Sequence, residues 1–223
     1  MKTAAPAISW FHTSVGRKVI MALTGLFLIT FLVVHLAGNL LLLRNDGGAA
    51  FNAYAEFMST NPLIRVLEIA LFIGFVLHIY QGLYFIFREK KSRPHNYALN
   101  KASANTNIFS RTMRLSAIGV LVFLVVHLRH FFVEHRLLGT TLTMYDSCKQ
   151  AFENPYYSAF YVASMVLLAF HLAHGFYSGF QTLGLIVNRR VERLIRWTAA
   201  AFAFLVPLGF AIIPLYFLLM KTS

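Results

Sequence analysis

The sequence predicts an all-α integral membrane bundle of five transmembrane helices. Of the 223 residues, 58% are hydrophobic and only 13% are charged, and the mean hydropathy is +0.63. A soluble domain would carry about a quarter charged residues, with its apolar positions spread by amphipathic periodicity. Here the apolar residues form long uninterrupted blocks. A soluble globular enzyme is therefore excluded.

Five of these blocks are long enough to cross a bilayer, which takes about 20 apolar residues. We expect a single membrane domain over residues 1–223, with spans at 19–43, 64–87, 114–133, 158–187 and 197–220. The third span contains Arg129, but this residue lies near the end of the block, where its long side chain can reach the interface.

The net charge of +12 arises from 20 lysines and arginines against 8 acidic residues. Most of the basic residues fall at the N-terminus and in the connections after spans two and four, which share one side of a five-span topology. By the positive-inside rule this side is cytoplasmic, so we predict a bacterial cytoplasmic (inner) membrane protein with its N-terminus inside. The charge then indicates topology and contact with membrane lipids, and no nucleic-acid partner is expected.

Cysteine usage excludes several kinds of site. Cys148 is the one cysteine of the sequence. It cannot form an internal disulfide, and alone it cannot hold an iron–sulfur cluster or supply a CxxCH haem attachment.

Histidine is the informative residue, because each of the first four spans contains one histidine flanked on both sides by large apolar residues and the fifth span contains no histidine. The four are His35, His78, His127 and His171. A histidine inside a bilayer is costly and indicates function by default. One alone could be a packing residue, but one on each of four consecutive helices is hard to explain that way. At 1.5 Å per residue, His35 and His127 lie in the outer half of the membrane. His78 lies towards the inner half, and His171 can reach the same level.

Two histidine pairs at two depths, His35 with His127 and His78 with His171, are what two b-type haems require as axial ligands. The four histidines are thus the predicted ligands of two haem irons. Zinc is a poor competitor, because such a site would lack carboxylate and thiolate ligands.

Two further histidines, His130 and His174, each follow a predicted ligand by three residues and lie on roughly the same helix face. For His130 and its neighbour Arg129, contact with haem propionates and a plain interfacial position are equally good interpretations.

An internal match chooses between His171 and His174. The segments 78–84 and 171–177 share the pattern His-x-x-x-Gly-x-Tyr. This alignment makes His171 the ligand and places His174 at the position of Gln81. His174 would then be a neighbour of the haem ligand or a group that faces a bound quinone.

Beyond these residues, two segments carry a family resemblance. Residues 48–58 (GAAFNAYAEFM) lead into Leu67-Glu68-Ile69, and residues 170–175 (FHLAHG) are followed by 180–184 (FQTLG). With the order of the histidines and the haem-free fifth span, the sequence resembles the single-chain, five-helix, two-haem cytochrome b membrane anchors of succinate:menaquinone oxidoreductases and fumarate reductases.

This resemblance implies a flavoprotein (FAD) subunit and an iron–sulfur subunit on the cytoplasmic face. It implies two haem b groups, the His78/His171 haem proximal and the His35/His127 haem distal, and menaquinone as the substrate that is reduced. The chain itself would not act on succinate. It departs from some fumarate reductase members, which carry a glutamate two residues before the fourth ligand. Here that position is Ala169, so the resemblance does not extend to a proton path through that acid.

Three polar residues at membrane edges are candidates for quinone binding or a proton path. Ser14 and Arg17 lie at the inner entrance of span one, and Glu68 lies at the outer entrance of span two. Helix capping and headgroup binding are the alternatives for the first two. An interfacial ion pair with Arg65 is the alternative for Glu68.

Two other functions remain open from the sequence. The first is a cytochrome b subunit of another quinone-linked dehydrogenase or hydrogenase. The larger basic loops on the cytoplasmic side favour a cytoplasmic dehydrogenase over that class. The second is a transporter with a histidine proton relay. No inverted repeat is evident, and the helix-breaking Pro207 and Pro214 are confined to span five.

Overall fold

The structure, a computed structural model, describes the backbone of residues 13–91 and 108–221 and the side chains of 13–88 and 112–220. The basic connection predicted between the second and third spans lies largely outside these ranges. The helices are α1 (Ser14–Asn39), α2 (Ala49–Thr60), α3 (Pro62–Lys91), α4 (Ile108–His127), α5 (Met144–Phe152), α6 (Pro155–Thr182) and α7 (Arg189–Lys221). A 3₁₀ turn, Leu40–Leu43, follows α1, and α4 continues as a π-helix over Leu128–Leu138.

Within the described residues, five helices are long and apolar enough to cross a membrane, and no strand is present. They are Ser14–Leu43, Pro62–Arg88, Thr112–Leu138, Pro155–Thr182 and Arg189–Met220. The predicted all-α class with five spanning helices is confirmed.

Local capping explains where the fourth spanning helix begins and ends. The Asn154 side chain accepts hydrogen bonds from the backbone N–H groups of Tyr156 and Tyr157, and Pro155 occupies the first turn. The helix stops at Thr182, and Gly184 then adopts a φ of 71° that turns the chain. The helix therefore ends before residue 187, the limit expected from hydropathy, because hydropathy does not register this turn.

The spanning helices pack unevenly. The most extensive contact joins α6 to α7, α4 packs on α6, and α3 packs on α1 while barely touching α4. Many apolar side chains stay exposed, among them Ile69, Val76 and Phe204. Such exposure fits helices whose outer faces meet lipid, where no hydrophobic force drives one helix onto another.

The two ends of the bundle differ. The basic end contains Ser14, Arg88, Arg114 and Arg189, where α1, α4 and α7 begin and α3 ends. The opposite end is covered by α2 and α5, which lie between spanning helices in the chain. A buried cluster joins these two short helices to the 3₁₀ turn after α1, to α6 and to α7: Leu42, Phe51, Cys148, Phe152, Tyr161, Ile213 and Phe217.

Candidate haem and quinone sites

The first histidine pair lies towards the opposite end. His35 of α1 and His127, the last residue of α4, place their ring centroids 5.8 Å apart with an interplanar angle of 88°. Phe31 stacks on His35 and Phe123 stacks on His127. Each ring of the pair is thus stacked on an aromatic side chain of its own helix.

The second pair lies nearer the basic end. His78 of α3 and His171 of α6 have ring centroids 6.2 Å apart and an interplanar angle of 73°. His78 contacts Thr24 of α1, which lies about 16 Å along the helix from His35 at 1.5 Å per residue. The structure therefore brings together the two pairs that the depth arithmetic predicts, at two levels of the bundle.

The spacing within each pair fits an iron held between two imidazoles. Because a metal–nitrogen bond is about 2 Å and a ring centroid lies about 1 Å behind its nitrogen, the centroids would be about 6 Å apart. Both pairs match this separation. Among the described residues there is no group of three or more His, Cys, Asp or Glu side chains that could hold a metal. Paired histidines thus fit axial haem ligation and not a closed zinc site.

Hydrogen bonds at Nδ1 orient several of the rings. His78 Nδ1 lies 3.2 Å from Thr24 Oγ1, and His127 Nδ1 lies 3.2 Å from Tyr161 Oη. His35 Nδ1 is 3.4 Å from Asn39 Nδ2. His171 Nδ1 is buried without a hydrogen-bond partner. In metal-binding histidines a partner at one ring nitrogen fixes the orientation and leaves the other nitrogen for the metal.

Beyond His127 the π-helix changes which side chains face the pair. Its i→i+5 hydrogen bonds widen each turn. Phe131 packs on His127, with centroids 5.4 Å apart, while the His130 ring lies against Phe131 and Tyr157. The prediction that His130 shares a face with His127 assumed α-helical spacing, which this segment does not have.

Arg129 and His174 were also proposed beside the haems. Arg129 is exposed and donates to the partly exposed Glu134 at 2.9 Å. His174 is half-buried on α6, one turn closer to the basic end than His171.

Ser14 and Arg17 belong to a polar cluster at the basic end. The Arg17 guanidinium lies 4.1 Å from the ring centroid of Tyr84 and donates to Gln81 Oε1 at 3.4 Å. Arg88 donates to Ser14 Oγ at 3.3 Å. Gln81 is buried, and Arg17 Nε is buried without a hydrogen-bond partner.

An apolar groove adjoins this cluster. Its volume is about 470 Å³, and its lining residues are Tyr80, Leu83, Tyr84, Phe87 and Arg88. A flat apolar ring with polar substituents could therefore lie beside Arg17 and Tyr84.

Glu68 is held in an ion-pair network at the opposite end. Its carboxylate accepts hydrogen bonds from Arg65 and from Arg136. Arg136 also donates to the backbone carbonyl of Ser59. The structure thus shows the ion pair with Arg65 that the sequence left as an alternative.

Comparison with known proteins decides the family. A family model described as the succinate dehydrogenase/fumarate reductase transmembrane subunit matches residues 89–210, more than half of the chain. The chain belongs to this family. It is also similar to the succinate dehydrogenase cytochrome b558 subunit of Bacillus subtilis (strain 168), with 27% identity over 165 residues, 74% of this chain and 77% of that protein. No solved structure gives a significant match.

The family resemblance predicted from the sequence is therefore confirmed. The part of this succinate dehydrogenase/fumarate reductase transmembrane subunit that matches the family model contains His127 and His171, whereas His35 and His78 precede it. The structure places His35 against His127 and His78 against His171. Each histidine outside the matched region is thus paired with one inside it.

Sequence reasoning missed the tyrosines of the site. The repeated pattern His-x-x-x-Gly-x-Tyr ends at Tyr84 and Tyr177, and each ring lies under an arginine, Arg17 at 4.1 Å and Arg196 at 4.2 Å. The repeat itself could have drawn attention to them. Tyr161, which contacts His127, had no such signal, because only the packing of α4 on α6 brings the two together.

Proposed function

We propose that this chain is the di-haem cytochrome b anchor of a succinate:quinone oxidoreductase. It would pass electrons from a flavoprotein and an iron–sulfur partner on the cytoplasmic face through two b haems to menaquinone. The proposal rests on the two histidine pairs, which lie at two levels of one bundle. The ring centroids are 5.8 Å apart within one pair and 6.2 Å apart within the other. Membership of the family and the name of the Bacillus subtilis relative support the same function.

The chain's contribution is to hold and shield the redox groups. His35 with His127 and His78 with His171 would be the axial ligands. Bound haem would supply one-electron transfer at a potential that depends on ligation, burial and hydrogen bonding. Phe31 and Phe123 cover the rings of the first pair and keep water away from them.

The basic end supports the proposed position of the partner subunits. Four exposed arginines lie within the first turns of α7: Arg189, Arg190, Arg193 and Arg196. By the positive-inside rule this end would face the cytoplasm. A cytoplasmic partner would then meet a cationic surface closer to His78 and His171 than to the other pair.

For the quinone, the structure supports Ser14 and Arg17 over Glu68. The first two adjoin an apolar groove and contact residues of α3, including Tyr84. Glu68 already has two arginine partners. We therefore propose that Arg17 and Tyr84 contact the quinone ring and that Glu68 is structural.

The function is tested by purifying the complex from membranes through a tag on this chain. We expect a flavin-containing subunit and an iron–sulfur subunit to co-purify, and succinate to reduce b-type absorption bands in the preparation. If the purified chain has b-type bands that only a different electron donor reduces, the anchor belongs to another quinone-linked enzyme. If it has no b-type bands at all, the haem proposal is wrong.

The quinone assignment predicts different effects for two charge-removing substitutions. In Arg17→Gln, loss of a hydrogen bond from a charged group should lower succinate-dependent menaquinone reduction by about tenfold or more. Glu68→Gln, at the other end of the bundle, is the matched control and should leave that rate near wild type. Succinate oxidation with an artificial acceptor should be unchanged in both. Equal quinone reduction by Arg17→Gln and wild type would contradict the assignment.

A further inference from the structure

A chain of hydroxyl groups leads away from one histidine of the first pair. His127 Nδ1 lies 3.2 Å from Tyr161 Oη, and Tyr161 Oη lies 3.2 Å from Tyr157 Oη. Tyr161 is only 6% exposed. Its ring packs against Phe123 and Phe152, with centroids 5.0 Å away in both cases. The hydroxyl therefore has little freedom to find other partners.

The direction of these hydrogen bonds follows from the chemistry of the ring. A neutral imidazole has one N–H and one nitrogen with a free lone pair. If Nδ1 donates to Tyr161, Nε2 keeps the lone pair that a metal needs. The Tyr161 hydroxyl can accept from His127 and donate its own hydrogen to Tyr157, so neither polar group of this buried contact is left unsatisfied.

Among the described residues, His127 is the predicted ligand whose hydroxyl partner is itself hydrogen-bonded to a second side-chain hydroxyl. His78 contacts Thr24, whose hydroxyl is within 2.8 Å of the Ile20 carbonyl on its own helix. His171 Nδ1 has no hydrogen-bond partner, and His35 Nδ1 is 3.4 Å from an amide nitrogen of its own helix. Tyr161 belongs to α6 and His127 to α4, so this hydrogen bond fixes the ring across a helix interface.

We propose that Tyr161 is the positioning residue for His127. Its hydroxyl accepts from Nδ1, holds the imidazole plane nearly perpendicular to that of His35, and makes Nε2 a stronger electron donor. This inference rests on the proposed haem ligation. A stronger axial donor stabilises ferric iron, so the hydrogen bond lowers the reduction potential at the His35/His127 pair and leaves the His78/His171 pair unaffected.

The test compares Tyr161→Phe with Thr24→Val in the whole complex. The first substitution removes one oxygen and keeps the aromatic ring, and the second removes the corresponding contact at His78. Redox titration followed by absorbance gives the reduction potential of each haem. Electron paramagnetic resonance of the oxidised protein reports the relative orientation of the axial rings through the largest g value of each haem.

We expect Tyr161→Phe to retain both haems, to raise the potential of one, and to move the largest g value of that haem alone. Thr24→Val should change the other haem. Unchanged potentials and g values in Tyr161→Phe, or equal shifts of both haems, would overturn the inference. Wild-type protein without b-type haem would instead refute the proposed function.

If the Tyr161→Phe complex fails to assemble, Tyr157→Phe tests the same inference. Tyr157→Phe retains the Tyr161 hydroxyl but removes the Tyr157 oxygen to which that hydroxyl donates. Without this polarising contact, the Tyr161 oxygen is a weaker acceptor for the His127 N–H. The same haem should shift in the same direction by a smaller amount. Wild-type potentials in an assembled Tyr157→Phe complex would also overturn the inference.

Discussion

At the scale of single residues, the ring nitrogens of four histidines are the groups on which the proposed function depends. Their separations of 5.8 and 6.2 Å within pairs suit one iron between two rings. The depth of each histidine could be predicted from sequence, because an α-helix has a fixed rise and the charged ends of each span mark the membrane edges. The partners of Nδ1 could not be predicted, since Thr24 and Tyr161 approach from other helices.

The one cysteine shows how strongly the opposite end is packed. Cys148 is buried in the cluster that joins α5 to α7, and this burial raises the pKa of its thiol to about 12. Since a thiol is neutral below its pKa, the thiolate fraction at pH 8 is about a thousandfold smaller than at an ordinary cysteine.

We therefore predict that a maleimide reagent leaves Cys148 unmodified at pH 8 in the folded protein and modifies it fully after denaturation. Mass spectrometry of the intact chain measures both states. Rapid stoichiometric labelling of the folded protein would show that this end of the bundle opens.

At the scale of elements, the π-helix after α4 is the largest departure from what the sequence predicts. The predicted shared face of His127 and His130 assumes α-helical spacing, whereas Leu128–Leu138 is a π-helix. Apolar periodicity distinguishes helix from strand but does not separate α from π, because the two differ by less than one residue per turn. The change matters for function, since it packs Phe131 on His127 and turns His130 to Tyr157.

The short helix α2 depends on a glycine with a positive φ. Gly48 precedes α2 with a φ of 87°, and a Cβ atom there would clash with the Tyr145 ring. Gly47 also has a positive φ, 66°, but a Cβ there would meet no atom within 4 Å. Both glycines therefore have a positive φ that disfavours other residues, but only at Gly48 would a side chain also clash with a neighbour.

We predict that Gly48→Ala lowers the free energy of unfolding by about 2–4 kcal/mol, because backbone strain and a steric clash add. Gly47→Ala, the matched control, should cost only about 1 kcal/mol from backbone strain. Thermal unfolding of the detergent-solubilised protein measures the difference. Equal losses for the two variants would mean that Tyr145 moves aside without cost.

At the scale of the whole molecule, the described residues form a bundle of five long helices with one basic end and one end covered by short helices. The number of spans and the fold class followed from hydropathy, because each block is long and nearly uncharged. The uneven packing, with α3 attached mainly to α1, did not follow. Apolar residues facing lipid and apolar residues facing another helix have the same composition, so the sequence gives no signal that separates them.

The proposed orientation, with the basic end in the cytoplasm, predicts the accessibility of single engineered cysteines. Arg193 at the basic end and Glu56 on α2 are both exposed. We expect Glu56→Cys to react with a membrane-impermeant maleimide in spheroplasts. Arg193→Cys should react only after the membrane is permeabilised. The reverse pattern would show that the positive-inside rule fails for this chain.

Haem content per chain tests the central claim most directly. We predict two haem b groups per chain in the purified wild-type complex, measured as extracted haem against protein. His35→Ala should retain one haem, the one with the potential of the His78/His171 pair, and His78→Ala should retain the other. A single haem in the wild type, or retention of the same haem by both variants, would contradict the account.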